Sequence, residues 1–271
     1  MMLKAGGLWN WRRLRPVVNS AKILGCRVDA TSHDQVCEHI AKWVGDGKSH
    51  YVSATGVHGI IESCDKAAFR ETLRKADLVV PDGMPVVWCL RRVGFKNQKR
   101  VYGPDLMLHV LEEGAKRGWR IGLYGAKEST LELLKERMEA RFPSLNIVYS
   151  FSPPYRALSA EETSQIRTDI AEADVQVLFV GLGAPKQDIW IENQLDHIAC
   201  TMLAVGAAFD FHAGTLKKAP SAVQNAGLEW LFRLLMEPKR LWKRYASIVP
   251  RFIVKAIPPR AVQRLEPRIV P

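Results

Sequence analysis

Short apolar runs alternate with amphipathic stretches over most of this chain, from residue 23 to about residue 206. The runs are β-branched or apolar, whereas the stretches between them repeat apolar residues at helical spacing. This alternation is typical of a mostly parallel sheet flanked by helices. Strands are predicted at residues 23–28, 51–54, 77–80, 120–124, 146–149, 175–181 and 202–205. The sequence therefore predicts an α/β protein.

Two helix starts are marked by serine. Ser32 with Gln35 makes a capping box before an apolar stripe, and Ser159 leads into the helix of Glu161 and Glu162 in a similar way. Both segments are therefore predicted to be helices that begin just after the serine.

The C-terminal segment, residues 227–271, differs from the rest of the chain in charge. It holds ten Lys and Arg against three Glu, an excess of seven in a chain whose net charge is +11. An apolar stripe runs along it at helical spacing: Leu241, Trp242, Tyr245, Ile248 and Val249. The opposite face of such a helix carries the basic residues Lys239, Arg240, Lys243, Arg244 and Arg251.

A basic amphipathic helix with Trp and Tyr on its apolar side is typical of helices that lie in a membrane interface. We therefore expect an anionic membrane surface as a partner, contacted by the five basic residues. The alternative is that the stripe packs on the protein's own core or on another subunit while the basic face is solvated. The chain then has three parts: an N-terminal arm (1–21), a catalytic α/β domain (22–226) and a membrane-associating appendage (227–271).

Several functional classes lose support from what the sequence lacks. No apolar run approaches the about 20 residues of a membrane-spanning helix, and the N-terminus lacks the apolar core of a secretory signal, so a cytoplasmic protein is expected. No nucleic-acid-binding module is present, and Glu residues interrupt the basic tail. The absence of Asp-x-Asp, His-Glu-x-x-His and Gly-x-Ser-x-Gly disfavours a metal-held diphosphate, zinc hydrolysis and a serine esterase.

In open parallel sheets, ligands bind beyond the carboxyl ends of the strands, and unusual residues follow several strands here. Asp82 stands between Pro81 and Gly83, where it could act as a general base or cap the helix of residues 84–93. Asp210 follows a later strand, where it could accept a hydrogen bond from a sugar hydroxyl or cap a turn. Two carboxylates are therefore candidates at this edge of the sheet.

The most informative turn follows the strand at 175–181. A glycine turn leads there into Pro185 and Lys186, which open an amphipathic stretch whose first N–H groups can hold an anion. A nucleotide diphosphate fits such a turn, with Lys186 and Arg100 as candidates to neutralise it or as mere surface charge. The turn has lysine where a dinucleotide fingerprint requires a third Gly or Ala, and the turn at residues 125–127 lacks the earlier glycine of a P-loop.

Five motifs in this order resemble the WecG/TagA/CpsF glycosyltransferase family, also called glycosyltransferase family 26, over residues 23–245. They are Pro81-Asp82-Gly83-Met84, the segment Arg100 to Leu106, Val180 to Gln187, Ala204 to Phe211, and Gly227-Leu228-Glu229-Trp230 continuing to Arg240. The resemblance implies a Rossmann-like core with a basic C-terminal helical appendage that reaches the membrane. It also implies inverting, metal-independent transfer of a sugar from a UDP-sugar to a polyprenyl-diphosphate-linked saccharide on the inner face of the cytoplasmic membrane.

The resemblance also assigns residues. It implies that Asp82 is the catalytic base, that Arg100 and Gln187 lie in the active site, and that either Ser53 or Thr55 replaces an acceptor-site threonine of the family. The implied nucleotide pocket comprises Gly125, Ala126, Gly181, Leu182, Gly183, Lys186, Ala207, Phe209 and Asp210. No cofactor or metal is expected.

Three questions stay open at this point. The motifs look closest to the exopolysaccharide branch, and the donor is left between UDP-glucuronic acid, UDP-N-acetylmannosamine or its uronic acid, and UDP-glucose. Whether the protein forms a homo-oligomer is also open. The alternative function is an NAD(P)-dependent oxidoreductase, which the missing third glycine and the lack of an acidic residue about 20 positions beyond Gly181 disfavour.

Overall fold

The computed structural model describes residues 17–270, so the tryptophans and arginines of residues 9–15 lie outside the described part. The strands are β1 (Val17–Ile23), β2 (Cys26–Ala30), β3 (His50–Thr55), β4 (Leu78–Pro81), β5 (Arg120–Gly125), β6 (Asn146–Phe151), β7 (Val177–Gly181), β8 (Thr201–Ala204) and β9 (Val262–Ile269). They form a six-stranded sheet in the order β4-β3-β8-β7-β5-β6 and a three-stranded sheet in the order β2-β1-β9.

Twelve α-helices lie within the described residues. They are α1 (His33–Trp43), α2 (Val57–Asp65), α3 (Ala67–Arg74), α4 (Met84–Arg92), α5 (Gly103–Arg117), α6 (Glu128–Arg141), α7 (Ala160–Glu172), α8 (Lys186–Glu192), α9 (Ala208–Ala213), α10 (Ser221–Asn225), α11 (Glu229–Met236) and α12 (Pro238–Ala256). The two predicted serine caps are confirmed, because Ser32 and Ser159 each form a full capping box at the start of α1 and α7.

The larger sheet is parallel throughout, and helices cover both of its faces. Successive residues of a strand point to opposite faces, so Val79 joins one core cluster while Leu78 and Val80 join the other. Strands buried on both sides carry continuous apolar runs rather than alternating ones, which is why they were recognisable in the sequence. The predicted α/β class with a mostly parallel sheet is confirmed.

The smaller sheet corrects two expectations. Residues 23–28 were predicted to be one strand, but a turn at Leu24 and Gly25, both with positive φ, divides them between β1 and β2 of an antiparallel hairpin. Residues 17–21, expected to belong to the arm, lie in β1. β9 was not predicted and pairs antiparallel with β1, from Val17 opposite Ile269 to Ile23 opposite Val262. The C-terminal segment therefore returns to the start of the described fold.

The helical appendage expected beyond residue 227 is present as α11 and α12. At 100° per residue, α12 has three faces. One face packs inward against the protein: Leu241, Tyr245, Ile248, Phe252 and Ala256. A second carries exposed apolar residues, and a third carries basic ones. Most of the predicted apolar stripe therefore packs against the chain's own fold, as the alternative reading held, while Trp242 is 53% exposed.

Candidate active site

Asp82 lies directly after β4, at the carboxyl edge of the sheet. Its backbone N–H donates to the Thr55 carbonyl at 3.1 Å, and its carboxylate accepts a hydrogen bond from the backbone N–H of Gly103, the first residue of α5. It does not cap α4, whose N-cap is Gly83 with no side-chain hydrogen bond. The side chain is half-buried and lines a cavity, so it is held in place and still accessible.

Burial, and after it the negative charge of Glu229, raise the pKa of Asp82, which is about 7 with all its neighbours in place. Arg100, the N–H of Gly103 and Arg233 act in the opposite direction. A carboxyl group with a pKa near neutrality can accept a proton and release it again at physiological pH, as a general base must.

Arg100 is held by residues that the C-terminal helices supply. Its Nη1 lies 2.6 Å from Oε2 of Glu229, the first residue of α11, and its Nη2 donates to Oε1 of Gln224 on α10. The guanidinium carbon also lies 4.1 Å from the ring centroid of Tyr102, whose hydroxyl donates to Oε1 of Glu229. Arg100 and Tyr102 precede α5, so Glu229 joins the appendage to the edge of the sheet that carries Asp82.

The sequence did not identify Glu229, Tyr102 or Gln224 as site residues. Glu229 and Tyr102 stood within two of the five motifs, but Glu229 was interpreted only as an interruption of the basic tail. The signal that could have identified Glu229 was the presence of a carboxylate in a basic segment otherwise suited to a membrane surface.

A cavity of about 560 Å³ opens beside Asp82, between α2, α4, α11 and α12. Its polar end holds Asp82, Arg100 and Glu229. Away from this end the walls are mainly apolar and come from α4 and the appendage: Met84, Pro85, Trp88, Leu228, Trp230, Tyr245, Ile248, Val249, Phe252, Ile253 and Ile257. A ligand that carries a charged group on a long apolar tail would match this distribution.

Ser53 and Thr55 are both buried at the end of β3. The Ser53 hydroxyl donates to Oδ1 of Asp188 at 2.6 Å, and the two hydroxyl oxygens lie 2.8 Å apart. The Tyr51 hydroxyl donates to the same oxygen of Asp188 at 2.6 Å. Because Ser53 donates to Asp188, the hydroxyl of Thr55 is the donor within the pair. The assignment of either residue to the acceptor stays a prediction.

Gln187 links two of the turns at the sheet edge. It is almost fully buried, and its Oε1 accepts hydrogen bonds from the backbone N–H groups of Gly183, at 3.1 Å, and Gly206, at 3.0 Å. These turns follow β7 and β8. Gln187 therefore shapes the edge of the sheet, and its predicted catalytic role stays a prediction.

The predicted nucleotide turns lie side by side on neighbouring strands. Gly125 has φ +121°, and a Cβ there would lie 2.7 Å from the carbonyl carbon of Gly181, so only glycine fits. Ala126 donates its N–H to the Gly181 carbonyl at 3.2 Å, and Gly183 has φ +78°. Phe209 is buried, and its ring packs against Gly181. These residues form one continuous rim.

The other predicted nucleotide residues surround this rim. Lys186 is exposed, and its Nζ lies 4.8 Å from the ring centroid of Tyr155. Asp210 is half-buried, with Oδ1 3.4 Å from the Thr215 hydroxyl. Leu182 and Ala207 are half-buried in the turns after β7 and β8. β3 and β8 lie between β4 and β7, so at about 4.8 Å per strand the rim stands about 14 Å from Asp82.

The predicted membrane-binding residues lie on α12. Lys239, Arg240, Lys243 and Arg244 are exposed, whereas Arg251 forms an ion pair with Asp65 of α2. Within residues 17–270, every helix is too short or too polar to cross a bilayer. In the same part of the chain, no three His, Cys, Asp or Glu side chains converge as a set of metal ligands.

Comparisons with known proteins show which family this chain is similar to. The model of the glycosyl transferase WecG/TagA/CpsF family matches residues 21–266. Three similar proteins are all named N-acetylglucosaminyldiphosphoundecaprenol N-acetyl-β-D-mannosaminyltransferase. That of Bacillus spizizenii is 30% identical over 72% of this chain and 74% of its own length. The protein of Bacillus subtilis strain 168 is 30% identical over 69% of this chain and 71% of its own length. The protein of Staphylococcus aureus strain MW2 is 28% identical over 88% of this chain and 92% of its own length.

The match spans both the parallel sheet and the appendage, so it includes Asp82, Arg100 and Glu229. It also removes the oxidoreductase alternative, since the family is one of sugar-transferring enzymes. The chain therefore belongs to the WecG/TagA/CpsF family and is a glycosyltransferase.

Proposed function

We propose that this enzyme transfers a sugar from a UDP-sugar to a polyprenyl-diphosphate-linked saccharide at the cytoplasmic face of the membrane, with inversion at the anomeric carbon and no catalytic metal. The observation that carries the proposal is the cavity beside Asp82. Asp82, the proposed general base, stands at its charged end, and the apolar part of the cavity lies between α4 and α12.

The acceptor fits this cavity by its chemistry. Its diphosphate would lie near Arg100 and Arg233 at the charged end, and its first isoprene units would lie against Trp88, Phe252 and Ile257. Burial of apolar surface contributes about 25 cal/mol per Å², so a few isoprene units would supply much of the binding energy. The sugar hydroxyl that reacts would then face Asp82.

The donor would lie across the rim. The backbone N–H groups of the turns after β5 and β7, together with the exposed Lys186, would balance the charge of its diphosphate. The nucleotide sugar would extend over the ends of β8 and β3, where Asp210 and Thr55 border the route to Asp82. This placement brings the anomeric carbon between the rim and the base.

The reaction step follows from this placement. The Asp82 carboxylate takes the proton of the acceptor hydroxyl as that oxygen attacks the anomeric carbon of the donor sugar. The bond from this carbon to the UDP oxygen breaks on the opposite side, and UDP leaves with the electron pair. Positive groups near the rim stabilise the developing charge of UDP, in place of a metal ion.

The appendage would hold the enzyme at the bilayer. Exposed large apolar residues gather on it: Leu228, Leu231, Leu235, Met236, Trp242, Ile253, Val254 and Ile257. On α12 and its C-cap residue, Trp242, Ile253 and Ile257 share one face, and Lys239 and Lys243 lie along one side of it. An apolar face bordered by lysines suits an anionic headgroup layer, where each basic residue contributes about 1 kcal/mol.

The names of the similar proteins indicate which donor sugar to test first. The names of the three relatives describe transfer of an N-acetylmannosaminyl group to N-acetylglucosaminyldiphosphoundecaprenol. UDP-N-acetylmannosamine is therefore the first donor to test, and UDP-glucuronic acid and UDP-glucose are the next, for an enzyme of exopolysaccharide assembly.

A donor panel tests the proposal directly. Each UDP-sugar is incubated with the purified full-length enzyme and a synthetic N-acetylglucosaminyl-diphosphate on a short prenyl chain, with and without EDTA. We expect product with one donor and undiminished turnover in EDTA. A requirement for a divalent metal, or no transfer from any UDP-sugar, would contradict the proposal.

The role of the cavity is tested by truncating one of its apolar side chains. We expect Trp88→Ala to raise KM for a prenyl acceptor about tenfold but to leave KM for the donor unchanged, because Trp88 lines only the apolar part of the cavity. Leu133→Ala is a matched control, because Leu133 is also a partly exposed apolar residue but lies on α6. An equal effect of both substitutions would place the lipid elsewhere.

A further inference from the structure

Glu229 uses both of its carboxylate oxygens to hold two residues of the catalytic edge. Oε2 pairs with Arg100 at 2.6 Å, and Oε1 accepts from the Tyr102 hydroxyl. The partners are 129 and 127 positions away in sequence. The side chains of Arg100 and Glu229 are only 13% and 16% exposed, so solvent screens their attraction less than on an open surface.

We propose that Glu229 is a positioning residue, which holds Arg100 and Tyr102 beside Asp82 through the contact of α11 with the loop before α5. The inference deepens the transferase function proposed above and rests on it. Arg100 has a second hydrogen-bond acceptor in Gln224 of α10, just before the appendage, and it stacks on Tyr102. Without the appendage, the guanidinium would therefore lose the charged acceptor and keep only the neutral one and the stacking contact.

The charges around Asp82 give this contact a chemical consequence. Arg100 and Tyr102 face Asp82 from the loop before α5, the Gly103 N–H from α5, Glu229 and Arg233 from α11, and His58 of α2 lines the same cavity. Glu229 offsets the positive charge of Arg100, so Arg100 lowers the pKa of Asp82 less than it would alone. Loss of the carboxylate would leave Arg100 unbalanced next to Asp82.

Two substitutions of Glu229 separate positioning from simple attachment. Glu229→Gln keeps the side-chain size but removes the charge and offers an amide N–H₂ toward Arg100 or Tyr102. Glu229→Asp keeps the charge with a shorter reach. Glu112→Gln is the control, because Glu112 is an exposed glutamate on α5 that pairs with Lys116 outside the site. Tyr102→Phe removes one of the two hydrogen bonds and serves if Glu229→Gln does not fold.

The first readout is the pH profile of kcat/KM for the acceptor. We expect Glu229→Gln to lower kcat/KM about tenfold and to move the acidic limb to lower pH by about one unit, because the negative charge that raises the pKa of Asp82 is lost and Arg100 is left unbalanced. Glu229→Asp should restore the position of the limb, and Glu112→Gln should leave rate and profile unchanged. A loss of kcat/KM that is uniform over pH would show that Glu229 only stabilises the fold, and it would overturn the proposal.

The second readout needs no substrate. The titration of Asp82 is followed by carboxyl carbon NMR in the ligand-free protein, with the resonance assigned from Asp82→Asn. We expect Glu229→Gln to lower its midpoint relative to the unsubstituted protein. An unchanged midpoint overturns the role of Glu229 even if transfer occurs. A lowered midpoint in a protein that transfers no sugar would instead contradict the proposed function and support the positioning.

Discussion

Gly227 packs directly against Trp88: a Cβ on this glycine would lie 2.7 Å from Cη2 of the indole ring. Gly227 has φ +72° and stands just before α11, whereas Trp88 belongs to α4. The close approach is thus one of the contacts between the appendage and the parallel-sheet domain. It also lies on the wall of the cavity beside Asp82, which both residues line.

Gly227→Ala should loosen the docking of the appendage. The left-handed φ costs an alanine about 1 kcal/mol, and the methyl group would also force the Trp88 ring aside. Gly118→Ala is the control, because Gly118 has φ +68° with nothing near its Cβ position. We expect limited proteolysis to release residues after 227 faster in Gly227→Ala than in Gly118→Ala. Equal rates would mean that the contact with Trp88 does not hold the appendage.

Asp82→Asn should make the protein more stable at about pH 8. The pKa of Asp82 is about 7 in the fold and 3.8 in the unfolded reference, so the folded state retains the proton longer. Stability therefore falls as the pH rises from about 4 to about 7 and remains lower above that, and the asparagine removes the loss. Because Asp82 lines an open cavity, we expect a gain of only about 1–2 kcal/mol.

Chemical denaturation at several pH values measures this gain. The difference between Asp82→Asn and the unsubstituted protein should shrink as the pH falls toward about 4, where the carboxyl group is protonated in both states. A lower stability of Asp82→Asn than of the unsubstituted protein at about pH 8 would contradict this, because the ionised carboxylate would then stabilise the fold.

Asp188→Ala should destabilise the fold by about 2–4 kcal/mol, because it leaves the buried hydroxyls of Tyr51 and Ser53 without their acceptor. Asp188→Asn is the informative comparison. Both hydroxyls bond to Oδ1, which the asparagine retains, and burial raises the pKa of Asp188 to about 6. Thermal unfolding should therefore rank asparagine well above alanine. Equal losses would mean that the negative charge itself is required.

Charge reversal on α12 should weaken binding to anionic vesicles. Lys243→Glu with Arg244→Glu removes two exposed cations and adds two anions, so we expect at least a tenfold loss in partition. Lys116→Glu with Arg117→Glu makes the same change in net charge on α5, which belongs to the sheet domain. Sedimentation with phosphatidylglycerol vesicles compares the two. The same loss in both variants would assign the effect to net charge and not to the appendage.

The parallel sheet was predictable because its information is local. A strand such as β7 is an uninterrupted apolar run, and the turns that follow the strands contain the glycines that positive φ requires. Asp82 was identifiable for the same reason, as a carboxylate between Pro81 and Gly83 at a strand end. These features depend on neighbours within a few residues.

The remaining features depend on distant partners. β9 is polar, contains Pro267 and becomes a strand only by pairing with β1 near the other terminus. Glu229 is recognisable as a site residue only by its ion pair with Arg100, and the Ser53 hydroxyl only by its hydrogen bond to Asp188, 135 positions away. Helical spacing located α12 correctly but could not show which face packs inward, because that depends on the neighbouring helices.

The most direct test of the account measures turnover and UDP affinity together in Asp82→Asn. General-base catalysis contributes about 10²–10⁴ in rate, so turnover of the sugar donor and prenyl acceptor should fall by about a thousandfold. The rim lies about 14 Å away, three strands across the sheet, so the Kd for UDP from calorimetry should change less than about twofold. Turnover within about tenfold of the unsubstituted enzyme, or loss of UDP binding, would contradict the assignment of Asp82 as the base.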